Sequence, residues 1–165
     1  MGHADHKKKS RKSVRCLVVT VSDTRTADTD ESGRLICDAL KSEGHSVAGR
    51  LVVRDDRTEI ERVFEGIPSN VDAVIFNGGT GISRRDCTYE VVTSRLDKEL
   101  PGFGELFRAL SYAEIGSAAM MSRATAGAAG GRVIISLPGS TGAVRLALEK
   151  LILPELSHMV WEVGR

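Results

Sequence analysis

The sequence predicts an α/β fold: a three-layer α/β/α domain around a mostly parallel sheet with one antiparallel strand. Three observations predict it. Short aliphatic runs alternate three times with stretches of helical period between residues 15 and 96, as βαβ units do when right-handed crossovers lay helices on both faces of a parallel sheet. The alternation breaks after Leu100, and a glycine-rich stretch at 127–131 then precedes the aliphatic run 133–137, which reads as a hairpin with an antiparallel edge strand. At 165 residues the chain is long enough for one domain with a proper core and short for two.

Each element has its own signature. Cys16-Leu17-Val18-Val19-Thr20-Val21 is almost continuously aliphatic or β-branched, as a central strand buried on both faces must be, and it ends in Ser22-Asp23-Thr24. Residues 30–33 offer capping side chains before Leu35, Ile36, Ala39 and Leu40, which line one helix face up to Gly44. Residues 47–54 form a second strand, closed by Asp55-Asp56, and Ile60, Val63, Phe64 and Ile67 mark a second helix ending at Pro68. A third strand, 73–76, feeds a glycine loop, after which Thr88 opens a helix bearing Tyr89, Val92 and Leu96. Phe103, Leu106, Phe107 and Leu110 space a short amphipathic helix after a Pro-Gly turn. The last helix starts near Ser140, carries Ala143, Val144, Ala147, Leu148 and Leu151, and stops around Pro154, because proline cannot continue a helical hydrogen-bond ladder.

Charge divides the chain unevenly. The first fifteen residues hold six Lys/Arg against one Asp, +5, which leaves 17 basic and 21 acidic residues, −4, in the rest. Residues 1–13, with no aromatic side chain to stack on bases and no amphipathic period, read as a flexible basic arm ahead of a domain at 14–165, with no nucleic-acid partner expected. Cys16, Cys37 and Cys87 are far apart, which argues against a zinc site and a disulfide framework. No run is long enough to cross a bilayer and no secretory segment is present, so no membrane partner and a cytoplasmic location are expected.

The functional signal lies in Phe76-Asn77-Gly78-Gly79-Thr80-Gly81-Ile82-Ser83-Arg84-Arg85-Asp86-Cys87-Thr88. Strand, glycine loop and helix start follow in order, and glycines permit the positive φ values that turn several N–H groups toward one anion. The spacing fits neither a P-loop nor a dinucleotide fingerprint. A bare strand-to-helix turn is the alternative, but the Arg-Arg-Asp tail favours a ligand. Asp23, Asp55 and Asp86 follow the first, second and third strands, so a parallel sheet brings them to one edge, where open α/β sheets bind their ligands. Asp56 reads instead as a helix N-cap. Carboxylates beside a phosphate-binding turn suit nucleotidyl transfer with a magnesium ion, for which Asp55 and Asp86 are the candidate ligands. Leu137-Pro138-Gly139-Ser140 repeats the pattern of strand, turn and helix, and reads either as a second anion site or as an ordinary N-cap by Ser140.

Thr20-Val21-Ser22-Asp23, Gly78-Gly79-Thr80-Gly81 with Arg85-Asp86 and Thr88, Pro101-Gly102-Phe103-Gly104-Glu105, Ser122-Arg123-Ala124 and Leu137-Pro138-Gly139-Ser140 together resemble the MoaB/Mog family of molybdenum cofactor biosynthesis proteins, related to the gephyrin G domain, and the MoaB branch in particular. The resemblance runs from about Val14 to the C-terminus. It implies a molybdopterin-binding domain that adenylates molybdopterin with Mg-ATP, releasing pyrophosphate. Carried over residue by residue, it implies catalytic roles for Asp23 and Asp86; Asp55 joins them as a catalytic candidate from its place at the same sheet edge. It implies substrate contacts from Ser22, Gly78, Gly79, Thr80, Gly81, Arg85, Thr88, Glu105, Ser122, Pro138, Gly139 and Ser140, with Glu105 a candidate acceptor for the nucleotide. The competing class is a non-catalytic protein of the same fold that binds molybdopterin or serves in assembly with other cofactor biosynthesis proteins; a nucleotide-binding regulator is a third.

Residues 100–121 hold Phe103, Leu106, Phe107, Leu110, Tyr112, Ile115, Met120 and Met121, more apolar surface than one appended helix can bury. With the resemblance, this predicts a homo-oligomer, trimer or hexamer, in which Phe107 contributes to a subunit contact.

Overall fold

The structure, a computed structural model, describes residues 13–165; the basic arm expected at 1–13 lies, but for Ser13, outside them. In chain order the elements are β1 (Arg15–Val21), α1 (Glu31–Ser42), β2 (Ser46–Val53), α2 (Arg57–Glu65), β3 (Ala73–Asn77), α3 (Thr88–Arg95), β4 (Lys98–Glu99), α4 (Pro101–Ile115), a 3₁₀ helix (Gly116–Met121), β5 (Thr125–Ala129), β6 (Arg132–Leu137), α5 (Thr141–Ala147), a π-helical turn (Leu148–Ile152) and α6 (Leu153–Val163).

The six strands form one sheet in the order β2-β1-β3-β6-β5-β4. β2, β1, β3 and β6 pair in parallel, and β5 is antiparallel to both of its neighbours, so it alone runs against the rest. Alternation along each strand divides the apolar residues between two cores. Cys16, Val18, Ala73, Ile75, Val133 and Ile135 pack under α1, α4, α5 and α6. Leu17, Val19, Val74, Phe76 and Ile134 face α2 and α3. A sheet covered on both faces explains why its central strands are aliphatic throughout.

Four expectations need correction. The antiparallel strand is interior, because Lys98 and Glu99 pair outside it with Ala128 and Gly127; two charged residues carry no apolar pattern, and charge on a short outer strand protects the sheet edge. The last helix does not stop at Pro154. The chain widens into the π turn, and Pro154 enters in the first turn of α6, where a missing N–H costs little. On α3 the buried face is Thr88, Val91 and Val92, not the Tyr89 side. Phe107 is fully buried in its own chain's core, as is nearly all of Phe103, and so neither is available to a partner.

Candidate functional site

Register builds the site before any loop does. Thr20 pairs with Asn77 and Asn77 with Leu137, so β1, β3 and β6 end side by side and deliver their turns to one place. β1 leads through α1 to β2 on one side, while β3 pairs on its other side, which makes the gap between β1 and β3 the topological switch point. A cleft of about 80 Å³ lies there, reached by Ser22, Arg25, Asn77, Gly78 and Gly139.

Its floor is a buried polar network. The Asp30 carboxylate accepts from Thr20 Oγ1 (2.9 Å), Gly33 N (2.9 Å) and Arg50 Nη1 (2.8 Å). Asn77 Nδ2 donates to Thr20 Oγ1 (3.0 Å) and Val19 O (3.2 Å), while its Oδ1 is buried with no protein partner among the described residues. A buried charge is tolerable when it is paired and hydrogen-bonded as Asp30 is.

Above the floor, Gly78 and Gly79 adopt positive φ values of 94° and 65°. A side chain on Gly79 would collide with Thr88 Oγ1 and the Asp55 carboxylate. Gly78 N donates to Leu137 O (3.0 Å), and Thr88 N closes the loop onto Gly79 O (3.0 Å). The N–H groups of Gly79, Thr80, Gly81 and Ile82 have no acceptor among the described residues. Adjacent unpaired donors on a glycine turn are an anion cradle.

The three acids do meet, but their situations differ. Asp23 uses both oxygens structurally: Oδ1 accepts from Asp55 N (3.2 Å) and Oδ2 pairs with Arg85 Nη2 (2.8 Å). Asp86 Oδ2 accepts from Ser83 N (3.0 Å) and lies against Gly81, tying the loop to itself. Asp55 Oδ1 accepts from Cys87 N (3.2 Å) and Cys87 Sγ (3.4 Å), whereas Oδ2 faces Gly79 and accepts nothing among the described residues. Burial raises the Asp55 pKa, and the Asp86 and Asp23 carboxylates add to the rise, against the lowering hydrogen bonds from Cys87. Burial and the Asp55 contact push the Cys87 thiol up to about 12. Asp56 caps α2, accepting from Thr58 N and Glu59 N.

A family model described as "Probable molybdopterin binding domain" matches residues 17–158. The chain belongs to the molybdopterin-binding domain family. It is 54% identical over 168 residues to "Molybdenum cofactor biosynthesis protein B" of Bacillus cereus, covering 100% of this chain and 99% of that protein. A crystal structure of a protein of that name superposes with a TM-score of 0.90 at 54% identity, over 95% of this chain and 99% of the other. The tungsten cofactor synthesizing protein MoaB from Pyrococcus furiosus gives 0.84 at 41% identity, over 94% of this chain and 100% of its own. The family resemblance of the motifs is thereby borne out.

Within this family member, several motif residues have structural partners of their own. Ser22 Oγ accepts from Thr24 N (3.3 Å) and Arg25 N (3.1 Å), shaping its own turn. Ser140 caps α5, accepting from Ala143 N (3.3 Å). Gly139 abuts the first loop: a side chain there would sit 3.0 Å from Gly78 Cα, and Ser32 Oγ holds its carbonyl (2.7 Å). Pro138 precedes this contact without a donor of its own. Glu105 is exposed on α4, and no hydrogen bond among the described residues ties it or the Ser122 side chain to either turn. The residue beside Ser122, Arg123, does reach the loop, and Thr20, Asp30, Asn77 and Arg50 form the floor. Their sequence signal was slight: a polar residue near the end of an aliphatic strand, or an aspartate that also caps a helix.

The carboxylates can be tested against magnesium. Among the described residues no group of three His, Cys, Asp or Glu is arranged to hold a metal. Asp55 Oδ2 is free, and burial first, then the acids beside it, raise its pKa, a pressure that a cation relieves. Such a set fits magnesium arriving with phosphates, since that ion takes one or two carboxylates and fills its shell with phosphate oxygens and water.

Proposed function

We propose that the chain binds molybdopterin and Mg-ATP at this cleft and adenylates the terminal phosphate of the pterin. In that reaction a phosphate oxygen attacks the α-phosphorus of ATP, the bond to the β-phosphate breaks, and pyrophosphate leaves. The observation that carries this reading is the row of unpaired N–H groups at 79–82 beside the free oxygen of Asp55. Those donors meet charge as it grows on the phosphoryl oxygens. Asp55, with Asp86 as the second candidate, would hold magnesium, which neutralises phosphate oxygens so that two polyanions can approach. Gly78 and Gly139 let the two turns pack directly on the end of β1 and on each other, and Arg85 sets Asp23 behind Asp55. The test is pyrophosphate release from ATP, expected only when molybdopterin and magnesium are both present.

One observation favours the non-catalytic reading. Asp23 has both oxygens engaged, by Arg85 and by Asp55 N, so one acid of a three-acid catalytic set is already committed. Molybdopterin binding without pyrophosphate release under those conditions would establish that reading instead.

We also propose a homo-oligomer, trimer or hexamer, in which the outer side of residues 100–121 meets a neighbouring subunit. Leu106, Tyr112 and Met120 are 57%, 65% and 75% exposed, and Leu100, Ile115 and Met121 are exposed beside them. Since Phe107 is buried, Ile115→Asp is the informative variant. It should lower the mass measured by light scattering at micromolar concentration; a monomeric mass for the unmodified chain defeats the proposal.

A further inference from the structure

Arg123 stands 42 residues from Gly81 in sequence and grips the glycine loop directly. Its Nε donates to Thr80 O (2.8 Å) and its Nη2 to Gly81 O. Nη1 pairs with the Glu90 carboxylate, and the guanidinium lies 4.8 Å from the centre of the Tyr89 ring. Strand pairing places it there: Thr125 pairs with Ser136, and Ser136 with Phe76, so the residue two before Thr125 lies beyond the end of β3.

We infer that Arg123 is the positioning residue of the anion cradle. In a trans peptide the C=O and the following N–H point in opposite directions, so anchoring a carbonyl aims the next N–H. Three successive peptide planes are anchored in this way. Thr88 N holds Gly79 O and so directs Thr80 N–H; Arg123 holds Thr80 O and Gly81 O and so directs Gly81 N–H and Ile82 N–H. Every anchor comes from one side, the first turn of α3 and the arginine that Tyr89 and Glu90 hold over it. The three N–H groups therefore face away from α3 together, although a glycine-rich loop left to itself samples many orientations. A planar fork can take two carbonyls and a carboxylate at once, which the single ammonium of lysine cannot do with the same geometry. Arg123 touches no reacting atom in this scheme; it acts through the loop. Glu90 in turn depends on it, its pKa lowered first by the hydrogen bond from Arg123.

The inference rests on the proposed phosphate site, and the experiment separates the two. Full-length Arg123→Lys and Glu90→Gln are compared with the unmodified chain by thermal melting, by backbone amide order parameters from NMR, and by titration with magnesium pyrophosphate. Both variants should melt close to the unmodified chain. Order parameters at 79–82 should fall in Arg123→Lys from the rigid value of about 0.85 to below about 0.6. Pyrophosphate affinity should fall about tenfold in Arg123→Lys and about threefold in Glu90→Gln. If the lysine variant does not fold, Glu90→Gln, altered at an exposed side chain, decides. An unmodified chain that binds no pyrophosphate defeats the phosphate site, and loop order then decides the arginine's role alone. Unchanged loop order in the folded variants overturns the inference whatever the titration gives.

Discussion

The turn after β3 and the turn after β6 look alike on paper and differ in space. Both follow an aliphatic strand, contain glycine and open a helix. After β3, two glycines at positive φ leave a row of N–H groups unpaired beside Asp55. After β6, Ser140 spends its side chain on capping α5, the Gly139 carbonyl is taken by Ser32, and Gly139 packs so close to the first loop that a side chain there would sit 3.0 Å from Gly78 Cα. Both turns leave N–H groups without an acceptor among the described residues, those of Gly139 and Ser140 included, but only the first has the Asp55 carboxylate beside them. What sets the first turn apart is therefore its two glycines at positive φ and the carboxylate its donors stand beside.

Variants at the two turns sharpen this contrast. The largest effect is expected from Gly79→Val, which forces a β-branched residue to positive φ and drives a side chain into Thr88 and Asp55. Affinity for Mg-ATP or molybdopterin should drop by at least about a hundredfold in a chain that still melts cooperatively. Near-normal affinity in a folded variant would remove the loop from the site.

Next come the acids beside the first turn. Asp86→Asn keeps an acceptor for Ser83 N and should retain the fold while losing about two orders of magnitude in turnover. Asp55→Asn should cost as much activity and yet stabilise the protein. Its pKa is raised in the folded state, so folding favours the protonated acid. That contribution is fully present below the ordinary carboxylate range and is lost as pH rises through the raised value. The melting-temperature advantage of the asparagine variant should therefore be clear at pH 7 and vanish toward pH 3. An advantage that grows on acidification would contradict the assigned burial.

The smallest effect belongs to the second turn. Ser140→Ala removes the cap of α5 and should cost about 1 kcal/mol of stability, read by denaturant titration, with ligand affinity shifting far less than in Gly79→Val. A loss of affinity matching that of Gly79→Val, with stability unchanged, would make the second turn a binding site after all.

Much of the fold was legible because its signals are local or periodic. Aliphatic runs announced β1, β3 and β6, and capping side chains announced α1 and α2, as Asp30 and Asp56 then showed. Period alone could not say what covers a residue. It marked Phe107 as apolar without revealing that its own chain buries it, while Leu106 and Tyr112 stay exposed. It also ended the last helix at Pro154, since nothing in sequence foretells that a π turn will admit the ring. Motif reading named Ser122 and passed over Arg123 as a site residue, because the contact that matters joins residues more than forty positions apart.

By itself the sequence determined the α/β alternation, the glycine loop after β3, the family, and the gathering of Asp23, Asp55 and Asp86 at one edge. These follow from backbone rules that act within a few residues or from the direction a parallel strand must take. Only the tertiary structure decided how each acid is hydrogen-bonded, which turn has a carboxylate beside its donors, and which arginine aims them. Those outcomes depend on hydrogen bonds between segments that meet only once the sheet is assembled, where each donor and acceptor is either consumed by a neighbour or left for a ligand.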